Sequence, residues 1–237
     1  MNTKTILKFV CVGLLGLALT GCAGIQRQAF NKDAHQDLKT IGFLEQIEQE
    51  KYIVDNIGHP GMSFGLIGGI IAVADIESKK NKFTELMKAR DFRVVDEFQR
   101  MLAAELEQTG YSVKMIKPQR GKHTLLEKYE GLDGDVDAYL DFTLSAGYIC
   151  ASSSADYIPT IHSVVRLVKR GSNEILYQEV IYYGYSFQAK EAACLTADQQ
   201  YSFKNFEAIT TNADAALEGI RKGVPLIAKH IAQSLAR

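Results

Sequence analysis

Apolar residues along this chain recur with two periods, one of two residues and one near three and a half, and each marks a class of element. The clearest period of two runs from Val136 to Cys150. Val136, Ala138, Leu140, Phe142, Leu144, Ala146, Tyr148 and Cys150 alternate with Asp137, Tyr139, Asp141, Thr143, Ser145, Gly147 and Ile149. Such alternation predicts a strand with one face in a core and the other toward water. Thr160 to Val168 and Ile175 to Phe187, rich in Val, Ile and Tyr, predict two more strands. Gly171-Ser172-Asn173 between them supplies a hairpin turn. Shorter β-like runs at Leu38 to Leu44 and Tyr52 to Ile57 predict a hairpin around Glu45–Lys51, and Tyr111 to Ile116 predicts a further strand.

The longer period appears twice. Over Asp91 to Thr109, Val94, Val95, Phe98, Met101, Leu102 and Leu106 share one helical face, and Gly110 is placed to end the helix. In the C-terminal segment Ala213, Ala216, Leu217, Ile220, Val224, Ile227, Ile231 and Leu235 line one face of a long amphipathic helix. Thr211 with Asp214 suits its start as a variant capping box. Pro225 is expected to kink or restart it, because proline lacks the backbone donor and crowds the preceding turn. Asp75 to Arg90 predicts a mixed, charged helix. Pro118 to Gly121 makes a turn before a short helix at His123 to Tyr129. Residues 188–205, with Cys194, read as an irregular loop. The order ββααβαβββα predicts an α+β fold: a mixed, largely antiparallel sheet covered by helices, with a long C-terminal helix.

The front end follows neither period. Lys4 and Lys8 give a positive start, and no acid precedes residue 22. Ile6, Leu7 and Phe9 to Leu19 form an apolar core too short to span a bilayer, which takes about 20 apolar residues. Small residues and Cys22 follow. This is the layout of a secretory signal. Leu19-Thr20-Gly21-Cys22 resembles the bacterial lipobox. That resemblance implies diacylglycerol on the Cys22 thiol, cleavage just before it and acylation of the new amine. One acyl chain binds a membrane only marginally, and two or three give a lasting anchor. In lipoproteins of this type an Asp after the cysteine commonly retains the protein at the inner membrane. Here that residue is Ala23, which implies the outer membrane, facing the periplasm. The expected organisation is a signal peptide over 1–21, a lipidated tether over 22–37 and one periplasmic domain over 38–237. The element order broadly resembles periplasmic α/β domains of other envelope lipoproteins: the curli secretion lipoprotein, the lipoprotein activators of peptidoglycan synthases, and the amino-terminal domain of the Tol translocation propeller. No motif residue is shared with any of them.

Charge narrows the partners. Lys and Arg number 27 against 28 Asp and Glu, and the mature chain, without Lys4 and Lys8, carries a side-chain balance of −3. A nucleic-acid binder would show a basic field, so none is expected. With Cys11 removed and Cys22 acylated, only Cys150 and Cys194 remain, a natural disulfide candidate in an oxidising periplasm. No metal site is expected, because the five histidines show no ligand spacing.

Other motifs carry weaker chemistry. Asp133, Asp135 and Asp137 form a D-x-D-x-D run, but the calcium-loop pattern fails at Ala138 and Leu144. Ser152, Ser153 and Ser154 lack the G-x-S-x-G frame of a serine hydrolase. Neither a Walker A sequence nor a dinucleotide fingerprint occurs, so no cofactor is expected. Tyr148, Tyr157, Tyr177, Tyr182, Tyr183 and Tyr185 fit sheet packing better than a binding face. Lys79, Lys80, Lys82, Lys88 and Arg90 read as a solvated helix face, interrupted by Glu85. The apolar run Met62 to Ala74 is rich in glycine, and Gly61, Gly65 and Gly69 recur every fourth residue. On a helix they make a smooth stripe for close approach of another backbone. Packing inside the domain is the first expectation for it, ahead of contact with a second subunit or the membrane surface. The function expected is a non-enzymatic, lipid-anchored binding or scaffolding domain for an envelope protein partner or copies of itself. A structural or pore-forming subunit ranks second, and a periplasmic hydrolase last.

Overall fold

The computed structural model describes residues 25–59, 65–186 and 191–236, with backbone only for 65–69. The signal segment, Cys22 and Gly61 lie outside the described residues. Seven strands form one mixed sheet: β1 (Thr40–Leu44), β2 (Ile53–Asn56), β3 (Ser112–Ile116), β4 (Ala138–Cys150), β5 (Ile158–Lys169), β6 (Ile175–Tyr183) and β7 (Ala193–Leu195). The helices are α1 (Gly65–Lys88), α2 (Val94–Gln108), α3 (Phe206–Thr211) and α4 (Ala213–Leu235). The fold is α+β. The three long strands β4, β5 and β6 pair antiparallel, and the short strands join them in parallel, in the order β3-β1-β4-β5-β6-β7 with β2 also on β4.

β1 and β2 do not form the expected hairpin. Both run parallel to β4 on one edge, β1 beside its beginning (Ile41 opposite Ala138) and β2 beside its end (Ile53 opposite Gly147). Two strands pointing the same way cannot be joined by a tight turn. They share one interrupted strand position. Gly147 permits the crossing, since a Cβ there would sit 1.9 Å from the Ile53 carbonyl oxygen.

The even residues of β4 face the main core. Phe98 of α2 packs on Phe142 with ring centroids 4.9 Å apart, and Phe43 stacks on the same ring at 5.7 Å. The apolar stripe of α4 lies beside α2 over the sheet, with Ile220, Val224, Ile227 and Ile231 fully buried. Each such side chain contributes roughly 1.5–3 kcal/mol relative to exposure. Pro225 does not end α4, which runs through it without a break. α1 covers the β2 edge. Its Phe83 meets Tyr52 and Tyr148 edge-on, and Thr84 Oγ1 accepts from Tyr52 N at 3.0 Å. The apolar run and the charged segment after it therefore belong to one helix.

The odd face of β4 is not simply turned to water. Residues 117–135 fold back over its first half and close a second cluster of Leu44, Tyr129, Val136, Tyr139 and Val168. The short helix expected at His123–Tyr129 does not form. Its backbone serves the sheet instead: Leu126 N donates to Asp141 at 2.7 Å, and Thr124 O accepts from Arg120 and Gln46. The expected loop 188–205 contains β7 and a 3-10 turn at Gln199–Tyr201.

Candidate functional site

Three places gather polar chemistry, and each begins from residues that a strand or loop forces together. The first is the gap between β1 and β2. There the β4 edge has no strand partner, and an unpaired buried peptide group is costly. Side chains take the strand's place. Gln46 Nε2 donates to Phe142 O at 2.7 Å, Leu144 N donates to His123 Nε2 at 2.9 Å, and Ala146 N donates to Gln49 Oε1 at 2.9 Å. Because His123 Nε2 accepts, its proton sits on Nδ1, 2.6 Å from the Ile47 carbonyl. Burial pushes the His123 pKa down, with nearby Arg120 acting the same way. Beside it lies an ion pair out of water: Arg120 Nη2 to Asp141 at 3.0 Å, with side chains 4% and 0% exposed. Tyr129 Oη, Leu126 N and Phe142 N all donate to the Asp141 carboxylate, which fills its acceptor sites.

The connection 45–51 also shapes an open cleft of about 450 Å³ against the end of α1 and the start of α2. Glu48, Tyr52, Lys88, Asp91 and Arg93 line it. α2 has no side-chain cap of its own at Arg93. Glu48, from the distant loop, supplies one by accepting from Val95 N at 3.1 Å. This satisfies an orphan donor and sets a carboxylate at the positive helix end. Burial nonetheless raises the Glu48 pKa, against the backbone bonds from Gln49 and Val95. Asp91, at φ 51°, is the one non-glycine residue in the left-handed region among the described residues.

The third place is where the N-terminal segment meets the sheet. Gln28 pairs with Gln178 of β6 by two backbone bonds of 2.8 and 2.9 Å, and Gln178 Nε2 donates to Gln26 O at 2.9 Å. Arg27 reaches Glu179, a fully buried carboxylate on the core face, at 2.8 Å. His230 of α4 and Tyr177 hold its other oxygen at 2.8 and 2.7 Å. Burial pushes the Glu179 pKa up, but the His230 and Tyr177 bonds and the charges of His230 and Arg27 outweigh it and hold it below the usual range. The tether is thus strapped to the domain from Gln26 onward.

The residues singled out in the sequence fare unevenly. Cys150 is buried and Cys194 exposed, and both thiols are free. The expected disulfide does not form. Cys194 lies opposite Tyr182, Tyr182 opposite His162 and His162 opposite Ser145, so three strand spacings, about 14 Å, separate β7 from β4. A disulfide tolerates at most about 7 Å between Cα atoms. Gly65 and Gly69 fall on α1. On α4, a Cβ on Gly219 or Gly223 would lie 2.5 Å from Tyr148 Oη or 2.4 Å from the Tyr183 ring, so these two glycines also allow close approach. Their own spacing of four was the available signal. Tyr148, Tyr177 and Tyr183 are core residues. Asp135 pairs with Arg170, and Asp137 accepts from Lys39 N and Thr40 N, so the D-x-D-x-D run serves strand ends. No cluster of three metal-type ligands occurs among the described residues. Asp141, expected on the face toward water, is fully buried, and Glu179 went unread although a lone acid in the β-patterned run Ile175 to Phe187 was its signal. Comparison with protein-family models, curated proteins and solved structures finds no match to the chain.

Proposed function

We propose that this protein is a lipoprotein of the outer membrane, held by lipid on Cys22 at the periplasmic face, whose domain binds an envelope protein without catalysing a reaction. The lipobox pattern at Leu19 to Cys22 supports the address. The observation that carries the binding role is the cleft at the interrupted sheet edge. Buried Tyr52 and Phe92 line it, and its rim carries both signs in Lys88, Arg93, Glu48 and Asp91. A concave site with a few convergent polar groups is where a ligand docks. A rim of mixed sign suits a polypeptide rather than a polymer of single charge.

Two measurements test the reading. Cys22→Ser should abolish fatty-acyl labelling and release the protein from membranes or leave the signal uncut; normal acylation and retention would overturn the anchor. A photo-crosslinker at Lys88, activated in intact envelopes, should trap a discrete partner. Crosslinking no different from a probe at exposed Lys169, at the end of β5 and outside the cleft lining, would remove the cleft as the binding site. The runner-up, a structural subunit of an envelope complex, draws on a separate observation, the exposed apolar end of α1.

A further inference from the structure

One face of the apolar end of α1 is exposed, while Ala72 and Ile76 on its other face are buried. Ile70, Ile71 and Val73 are 62%, 61% and 59% exposed. Ile57, just past the end of β2, is also exposed. The other large exposed apolar side chains among the described residues, Ile25, Ile47, Met115 and Leu226, lie apart from this group in the chain.

The topology says where this end points. α1 runs back along β2, with Thr84 beside Tyr52 and Asp75 beside His59, beyond the strand's last residue. The turns before Asp75 therefore lie past the sheet. They comprise Gly65 to Ala74 and carry no charge. At about 1.5 Å per residue this stretch reaches about 15 Å, which is half of the roughly 30 Å hydrocarbon core. No helix among the described residues is long and apolar enough to cross a membrane. The stretch matches one leaflet instead.

The anchor leads to the same end. β2, β4 and β6 all run toward it, since β2 is parallel to β4 and β4 and β6 are both antiparallel to β5. Gln28 bridges Gln178 antiparallel, so the chain traced back toward Cys22 heads the way β6 points. Only Ala23, Gly24 and Ile25 separate Cys22 from the strapped Gln26, a reach of at most about 14 Å. A lipid on Cys22 thus holds this end of the sheet close to the bilayer.

We infer that the first turns of α1 are a second membrane contact: Ile70, Ile71 and Val73 enter the acyl region of the leaflet that holds the lipidated Cys22. The inference rests on the anchoring proposed above. A lipid surface is favoured over a second copy because three aliphatic side chains fall well short of the roughly 800 Å² per partner of a stable protein interface. Insertion needs only apolar area, and the acyl anchor already supplies the proximity.

The test uses the full-length acylated protein, with Cys194→Ser to remove the exposed thiol, in vesicles of phosphatidylethanolamine and phosphatidylglycerol. A polarity-sensitive fluorophore is placed at Ile71→Cys or, as a control, at Met115→Cys. Both positions are exposed, so folding is checked by unchanged melting. The probe at residue 71 should shift to the blue and lose emission to lipids carrying a quencher on the acyl chain; the probe at residue 115 should do neither. Mass spectrometry of the N-terminal peptide reports the lipid on Cys22 independently. An aqueous probe at residue 71 on protein with acylated Cys22 overturns the insertion and leaves the anchor standing. A probe buried in lipid on protein with unmodified Cys22 does the reverse. Crosslinking between residues 71 of two copies, with no response to quencher lipids, assigns this end to self-association and also overturns the inference.

Discussion

At the scale of single residues, stability concentrates in a few buried polar groups. The Arg120–Asp141 pair is almost wholly out of water. Removing one partner of such a pair leaves an uncompensated charge and costs about 3–5 kcal/mol. Arg120→Met should therefore lower unfolding stability by at least about 3 kcal/mol in a urea titration. A change below about 1 kcal/mol would mean that water reaches Asp141. His123 gives a pH signature. Its Nε2 accepts from Leu144 N, so protonation breaks a bond of the sheet edge. Its folded pKa lies below the ordinary value, mainly through burial, and that of His162 is lowered by burial as well. The unfolded chain then binds more protons, so this stability is complete above about pH 6.5 and is lost as pH falls through the folded values. His123→Gln should weaken the protein at neutral pH and also flatten the decline as pH falls below about 6.5. An unaltered slope would assign the decline to His162. Glu179, with its depressed pKa, acts lower: its contribution is present above about pH 4.5 and fades as acid protonates it.

At the scale of elements, amphipathic stripes were the legible part of the sequence. The stripe of Val94, Val95, Phe98, Leu102 and Leu106 became α2, and the C-terminal stripe became α4 with the expected buried face. β4 and the β5–β6 hairpin form where their patterns place strands, because local pairing leaves a local pattern, although both faces of these strands are largely buried. What the pattern could not carry is non-local. Nothing near β1 or β2 states that each joins the far-off β4 in parallel. Nothing at Gln46, Gln49 or His123 announces a side chain replacing a strand. The lining of the cleft was hidden for the same reason: Glu48 caps a helix 47 residues away. Helix seating shows the same division. Ala in place of Gly223 gains helix propensity but puts a Cβ 2.4 Å from the buried Tyr183 ring. Propensity returns about 1 kcal/mol and overpacking costs about 1–3 kcal/mol, so Gly223→Ala should destabilise by up to about 2 kcal/mol. A rise in melting temperature would show that α4 can lift off the sheet freely.

At the scale of the whole molecule, the strap at Gln26 to Gln28 decides how the domain is carried. A free N-terminal segment would move independently of the domain; here residues 26–28 are bonded to β6. Arg27→Ala removes the exposed partner of Glu179 and leaves the two backbone bonds of Gln28. We expect faster proteolytic nicking between residues 23 and 37, with a melting temperature little changed, because the core clusters do not involve Arg27. Equal nicking rates in the two proteins would show that the backbone ladder alone holds the segment. The lipobox pattern at Cys22 can be read in the sequence, but the strap cannot, since its partners lie in β6 and α4.

That strap also sets an order in time. Gln26 lies near the start of the chain, yet its partner Gln178 lies 152 residues downstream, and Thr40 waits for Asp137, 97 residues on. A chain delivered across a membrane N-terminus first would present β1 long before anything can receive it. Loop closure of that length has to be met before the contacts return anything, which slows folding. The early segments wait on partners that follow them in the chain: β1 on β3 and β4, and Gln28 on β6.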